Sequence, residues 1–182
     1  HLTDGELLDL AKCKVKAFRR VLDMKEGLLT RSFTAVMPSG RVAEVTARRF
    51  ISMSEPEKAA ICYAVKITGG SGTAELIPWL NADVSNEDAN YDEKFWEKES
   101  AEYDGLKAAV VAQTRKTAFV VATAMENAFT INGKAVKNKI AMSTGEKTAH
   151  CTLTCKYSDG DTIEVKKYVT VLSSTNHPIE KM

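Results

Sequence analysis

Residues Leu28 to Ser52 read LLTRSFTAVMPSGRVAEVTARRFIS, and the fold follows from how this stretch alternates. Leu29, Arg31, Phe33 and Ala35 fall on one face of an extended chain; Leu28, Thr30, Ser32, Thr34 and Val36 fall on the other. A period of two is the signature of a half-buried strand, because successive side chains point to opposite faces. Pro38-Ser39-Gly40 interrupts the pattern with turn chemistry, and alternation resumes from Arg41. Two alternating runs across a short turn predict a β-hairpin.

The same grammar repeats along the chain. AAICYAVKI, Ala59 to Ile67, is a strand that ends in TGGSG, a flexible turn. TAELIPWLN follows, with Pro78 pointing to an edge position or a bulge, since proline cannot donate to a ladder. LKAAVVAQT and KTAFVVATAMENAFTING are further strands, the second closed by Asn132-Gly133, a strong two-residue hairpin signal. KTAHCTLTCKYSDGDTIEVKKYVTVLSS reads as two strands around Asp159-Gly160. In the second, Ile163, Val165, Val169 and Val171 keep the period and Lys167 breaks it. Short strands turned by Gly, Asn and Asp predict an all-β, mainly antiparallel sandwich in one domain over residues 1–182. A short helical or irregular acidic segment is expected near residues 86–105, with helix confined to Asn90–Tyr103 and the tail. No GxGxxG or phosphate loop accompanies a strand-helix alternation, which excludes a parallel nucleotide-binding fold.

Composition narrows function by exclusion. The 182 residues carry 25 Lys and Arg against 24 Asp and Glu, a net charge of +1, with no long basic patch. That balance supplies no electrostatic basis for nucleic acid or an anionic membrane. No apolar run reaches the roughly 20 residues of a membrane span. Cys13, Cys62, Cys151 and Cys155 are expected to be reduced, core-filling thiols rather than disulfides. Cys151 and Cys155 share a face with Leu153 and Tyr157. His150 points the other way, so a zinc site is not expected. The three histidines, His1, His150 and His177, form no readable triad, and residue chemistry nominates no catalytic centre.

Asn86 to Gly105, NEDANYDEKFWEKESAEYDG, stands apart with its eight carboxylates. Asp88, Asn90, Asp92 and Glu99 fit positions of a calcium loop. Glu93 occupies the sixth position, where the sharp turn needs glycine, and the flanks read as strands. No metal is therefore expected. A solvated surface explains the charge but not Tyr91, Phe95 and Trp96. Those rings either pin the segment to the sandwich or wall a sugar pocket, where rings meet a pyranose face and carboxylates accept hydroxyl bonds. Asn86, Asp88, Asn90, Tyr91, Asp92, Phe95 and Trp96 are the candidate pocket wall.

Several long motifs then occur in order: Leu22 to Arg31 (LDMKEGLLTR), Arg49 to Met53 (RFISM), Asn86 to Trp96 (NEDANYDEKFW) and Lys166 to Val171 (KKYVTV). Together they resemble the N-terminal domain of glycoside hydrolase family 65, the maltose, kojibiose, nigerose and trehalose phosphorylases. The resemblance covers nearly the whole chain. It implies an antiparallel super-sandwich that lacks its first strands and belongs to a larger enzyme. In that enzyme an (α/α)6 barrel, absent from this chain, holds the general-acid glutamate and the phosphate site. The implied reaction is inverting phosphorolysis of an α-glucosidic disaccharide to β-glucose 1-phosphate. Inorganic phosphate is the co-substrate, with no cofactor and no metal. Some relatives use water instead. The chain alone is then inactive. Its implied partners are its own barrel domain, the disaccharide and a second copy, in the cytoplasm. An edge left by missing strands is expected to self-associate. The competing reading is a stand-alone carbohydrate-binding sandwich that uses Trp79 and Trp96 as a stacking platform.

Overall fold

The computed structural model describes residues 6–85, 93–136 and 139–181. The hairpin that opened the sequence reading forms as expected. β2 (Leu28–Val36) pairs antiparallel with β3 (Val42–Ile51), and Met37 and Arg41 close the Pro38-Ser39-Gly40 turn. β1 (Lys14–Asp23) adds outside β2, and β4 (Lys58–Thr68) adds inside β3. β4 then pairs with β13 (Thr162–Ser173), β13 with β9 (Val120–Ile131), β9 with β8 (Lys107–Thr114), and β8 with β7 (Trp96–Asp104). β10 (Lys134–Val136) extends beside β9 and completes a nine-stranded sheet. The second sheet has four strands: β11 (Ile140–Thr144), β12 (Thr148–Tyr157), β5 (Gly72–Leu76) and β6 (Trp79–Asn81).

The two sheets face one another through the alternating residues. Phe33, Val45, Val65, Ile163 and Phe129 come from the large sheet, and Leu76, Leu80, Cys151, Leu153 and Tyr157 from the small one. Every second residue of β12 from Ala149 to Tyr157 is buried, so the period of two is realised directly. β5 and β6 are one edge strand seen twice. Both hold the same register on β12, and the Pro78 carbonyl between them accepts from the Cys151 amide at 3.0 Å. Proline has no N–H to return to the Cys151 carbonyl opposite it, so the ladder is interrupted there, which an edge strand tolerates.

The chain crosses between the sheets four times: after β4, β6, β10 and β12. At one end, Asp159 in the β12–β13 turn accepts the amides of Gly69 and Gly70 at 2.7 and 3.1 Å. The TGGSG turn read as flexible is therefore tied down. Gly69 and Gly70 have φ of 91° and 131°, which side chains rarely adopt. Asn132 and Gly133 take φ of 50° and 76°, the geometry of a primed hairpin turn.

Two expectations need correction. The helix expected within Asn90–Tyr103 is not formed in the described part, Glu93–Tyr103. Phe95 is irregular, and Trp96–Asp104 is strand β7, which hydrogen-bonds along β8 through the Asp104–Gly105 turn. A ladder along β8 outweighs the helix propensity of the Glu and Lys residues. Among the described residues helix is confined to a 3-10 turn, Ile179–Lys181, in the tail. Cys62 is not core: its even position on β4 puts it opposite Arg48 and Lys166 on the outer face, half-buried. Cys13 is half-buried against the core, whereas Cys151 and Cys155 are buried as expected. Burial pushes the Cys151 thiol up to about 11, with the nearby Asn127 amide pulling the other way. Such a thiol stays protonated at neutral pH and is a poor ligand or nucleophile.

Asn127 is a polar residue buried in this core; beyond its weak contact with the Cys151 thiol, neither amide atom has a hydrogen-bond partner among the described residues. An orphaned buried amide costs the desolvation of its polar atoms. Asn127→Leu, nearly equal in shape, is expected to raise stability by about 1–3 kcal/mol in urea titration; a loss of stability would show that the amide is satisfied by bound water.

Candidate functional site

The acidic segment is the second of the four inter-sheet crossings. It carries the chain from β6 on the small sheet to β7, the far edge of the large one. Of the candidate wall, Asn86, Asp88, Asn90, Tyr91 and Asp92 lie outside the described residues. Phe95 and Trp96 lie within them, both half-buried.

The two feet of the crossing are clasped together. Asp83, on the β6 side, pairs with Lys94 on the β7 side at 2.7 Å and with Lys147 at 3.8 Å. Lys147 sits in the β11–β12 turn, and its ammonium also donates to the Trp96 carbonyl at 2.9 Å. Its backbone carbonyl accepts from the Ala82 amide at 2.9 Å. One residue thus holds both feet, and its side chain is only 17% exposed, so water screens it poorly. On the outer side, the Arg115 amide donates to the Phe95 carbonyl at 3.0 Å and its guanidinium meets Glu97 at 2.9 Å. That pair is exposed and adds little alone. Asp83, Lys94, Lys147 and Arg115 were not among the sequence candidates. Lys147 and Arg115 come from turns distant in sequence, and no local pattern marks them.

Trp96 packs its ring against Phe119, with centroids 6.3 Å apart and planes at 56°. With Leu80, Ala82, Val84, Val110 and Val121 it borders a pocket of about 180 Å³ between the sheets. The ring is therefore both a pin for the crossing and one wall of a small apolar cavity. Trp79 is elsewhere. It stacks on His150 at 5.3 Å on the small sheet and borders a different cleft, beside Lys167. The two tryptophans do not form one platform. His150 approaches the Thr148 hydroxyl and His177 approaches Glu57, at 3.1 and 3.3 Å. Neither pair places a base beside a nucleophile activated for catalysis. Among the described residues no cluster of three potential metal ligands occurs, and no helix is long and apolar enough to cross a membrane.

The geometry defines a two-sheet antiparallel sandwich with one clasped, ring-bearing crossing and no assembled catalytic group among the described residues. Comparison with known proteins gives its family. A sequence model described as glycosyl hydrolase family 65, N-terminal domain, matches residues 1–182, and the chain belongs to that family. It is 29% identical to maltose phosphorylase of Bacillus subtilis (strain 168), over 98% of this chain and 23% of the relative's length. It is 26% identical to alpha,alpha-trehalose phosphorylase of Thermoanaerobacter brockii, over 98% of this chain and 24% of that protein. A solved structure of a human-microbiome protein, described as a kojibiose phosphorylase, superposes with a TM-score of 0.80 at 19% identity. It covers 100% of this chain and 22% of that one, and it shows the shared fold. The chain thus spans about a quarter of the length of the relatives it matches.

The clasp should be pH-dependent. The hydrogen bond from Lys94 holds the Asp83 carboxyl below its ordinary value of 3.8, against a smaller opposing effect of burial. A lowered folded value means a contribution that is complete above 3.8 and is lost as pH falls through the folded value. Asp83→Asn is expected to speed amide exchange at Ala82 and Lys94 at pH 7. The difference from the parent chain should vanish in strong acid. Equal exchange at pH 7 would show that the ion pair does not hold the crossing.

Proposed function

We propose that this chain is the non-catalytic N-terminal domain of an enzyme that cleaves α-glucosidic disaccharides by inverting phosphorolysis. The observation that carries this reading is the match to phosphorylases across 98% of the chain. In such a reaction a phosphate oxygen attacks the anomeric carbon as the glycosidic bond breaks. A carboxylic acid gives its proton to the leaving oxygen, which yields β-glucose 1-phosphate and the free sugar. Phosphate stands where an inverting hydrolase holds water. The acid and the phosphate site belong to the remainder of the enzyme in this reading. Saving the glycosidic bond energy as a sugar phosphate suits the cytoplasm, where phosphate is available and the product is retained.

The domain's role in this reading is to present the crossing between β6 and β7 at the active-site entrance. A connection of this length in a compact domain is more often functional than a plain link. The Asp83, Lys94 and Lys147 clasp fixes its feet, so that a wall built on it keeps its position. Pre-positioning is what such a wall contributes to binding and to the reaction geometry. A second role, contact between two copies of the enzyme, fits the sheet edge at β1, whose ten residues are all exposed.

The full-length enzyme is expected to release β-glucose 1-phosphate from maltose, trehalose or kojibiose only when phosphate is present, and the isolated chain to release none. Release of free glucose without phosphate would make it a hydrolase. Trp96→Ala in the full-length enzyme should change kcat or KM, and no change in either would remove the crossing from the entrance. Calorimetric titration of the isolated chain with maltose, kojibiose and glucose separates the competing reading: a clear isotherm makes it a sugar-binding module.

A further inference from the structure

The inner face of the large sheet is covered over only part of its length. Cross-strand register defines its rows. Phe18, Phe33, Val45, Val65 and Ile163 form one row, and Leu22, Leu29, Arg49, Ile61 and Lys167 another, four residues along β4. Burial falls away between them. Val65 is 6% exposed and Ile61 36%; Val45 is 2% exposed, Ile51 on the same strand face 66%, and Leu22 on β1 62%. Val171 on β13 is exposed as well. From Phe33 to Ile163 the first row lies under the small sheet, Phe18 at its β1 end being 50% exposed, and the second row lies beyond it.

This bare end has an unusual charge. Register puts Arg20, Arg31, Arg49 and Lys167 on it. Arg20 and Arg31 lie over the Phe18 and Phe33 rings at 5.7 Å, which confirms the shared face. No Asp or Glu of β1, β2, β3, β4 or β13 occupies an inner position there. Lys167, the residue that broke the alternation, is half-buried. Its ammonium donates to the Trp79 carbonyl at 2.6 Å and faces a cleft of about 400 Å³ bordered by Leu7, Ile61, Tyr63, Pro78 and Trp79. Among the described residues no carboxylate lies within ion-pair distance of it. Glu75 borders the same cleft but accepts from the Thr154 hydroxyl. Burial pulls the Lys167 ammonium below its ordinary value, as expected of a partly desolvated cation with no counter-charge among the described residues.

We propose that the bare end of the inner face, from Leu22 and Ile51 to the Lys167 cleft, is the seat of another segment of the parent polypeptide. That segment brings apolar side chains to Ile51, Ile61 and Val171 and a carboxylate to Lys167. A contiguous apolar patch of this kind marks an interaction surface, and a partly buried cation is stabilised by a paired acid rather than by an apolar cover. The relatives are about four times as long as the part this chain matches, so the parent has polypeptide to supply the cover. A second copy is disfavoured, because a two-fold contact through this face would bring eight cations together with no acid between them. The inference rests on the chain being one part of a longer family 65 protein. It does not rest on the reaction, so phosphorolysis can fail while the docking stands.

The test is the rate of reductive methylation of Lys167, read by peptide mass spectrometry against exposed Lys134, in this chain and in the full-length protein. The expected result is labelling about tenfold slower at Lys167 in the full-length protein, with Lys134 unchanged. Lys167→Glu in the full-length protein should lower its melting temperature, whereas Lys167→Met should lower it less. Equal labelling in both contexts overturns the proposal. Slowing in this chain with rising protein concentration would assign the face to a second copy, and equal slowing by inorganic phosphate would assign the cleft to a small anion. Either result overturns it as well.

Discussion

A sheet with one apolar face must have that face covered, and four strands cannot cover nine. Most of what distinguishes this domain follows from that mismatch. Where β5, β6, β12 and β11 lie over the large sheet, the core is dense and Phe129, Leu153, Ile163 and Ile67 are sealed from water. Beyond them the same strands keep their inward pattern but meet no partner. Leu22, Ile51 and Ile61 are inner-face residues without an interior. The relatives of this chain are about four times as long as the part matched here.

The mismatch also orders the ends of the sandwich. Four crossings are needed to thread one chain through two sheets, and each must be fixed without a core of its own. At one end this is done by polar side chains: the Asp159 carboxylate accepts the amides of Gly69 and Gly70, and Asn132 donates to Asp161 and accepts the Thr162 amide. At the other end it is done by charge: Lys147 holds Asp83 and the Trp96 carbonyl together. The acidic segment between β6 and β7 thus has an architectural explanation before any functional one. It joins the two sheets, and its feet at Asp83 and Lys94 are locked by that clasp.

What the sequence made legible was whatever depends on near neighbours. Alternation in Leu29–Ala35 and Ala149–Tyr157 defined strands and their inward faces, and Asn132-Gly133 and Pro38-Ser39-Gly40 marked turns. Pro78 marked an edge, and Lys167 marked a place where the inward pattern meets something other than core. What was not legible depends on partners far along the chain. Trp96–Asp104 has helix-forming composition, and only the neighbouring β8 makes it a strand. Cys62 reads as core because its strand does, but register places it on the outer face. The clasp could not be read at all, since Asp83 and Lys147 are ordinary surface residues until the fold brings them together.

The central claim is that this domain is completed by its parent polypeptide at the bare end of the large sheet. Amide hydrogen exchange of β1 to β4, in the isolated chain and in the full-length protein, tests it most directly. The account predicts slow exchange at Val65 and Ile163 in both contexts. Around Leu22 and Ile51 it predicts rapid exchange in the chain and strong protection in the full-length protein. Exchange around Leu22 and Ile51 that is equally fast in both would mean that nothing covers this end, and the account would be wrong.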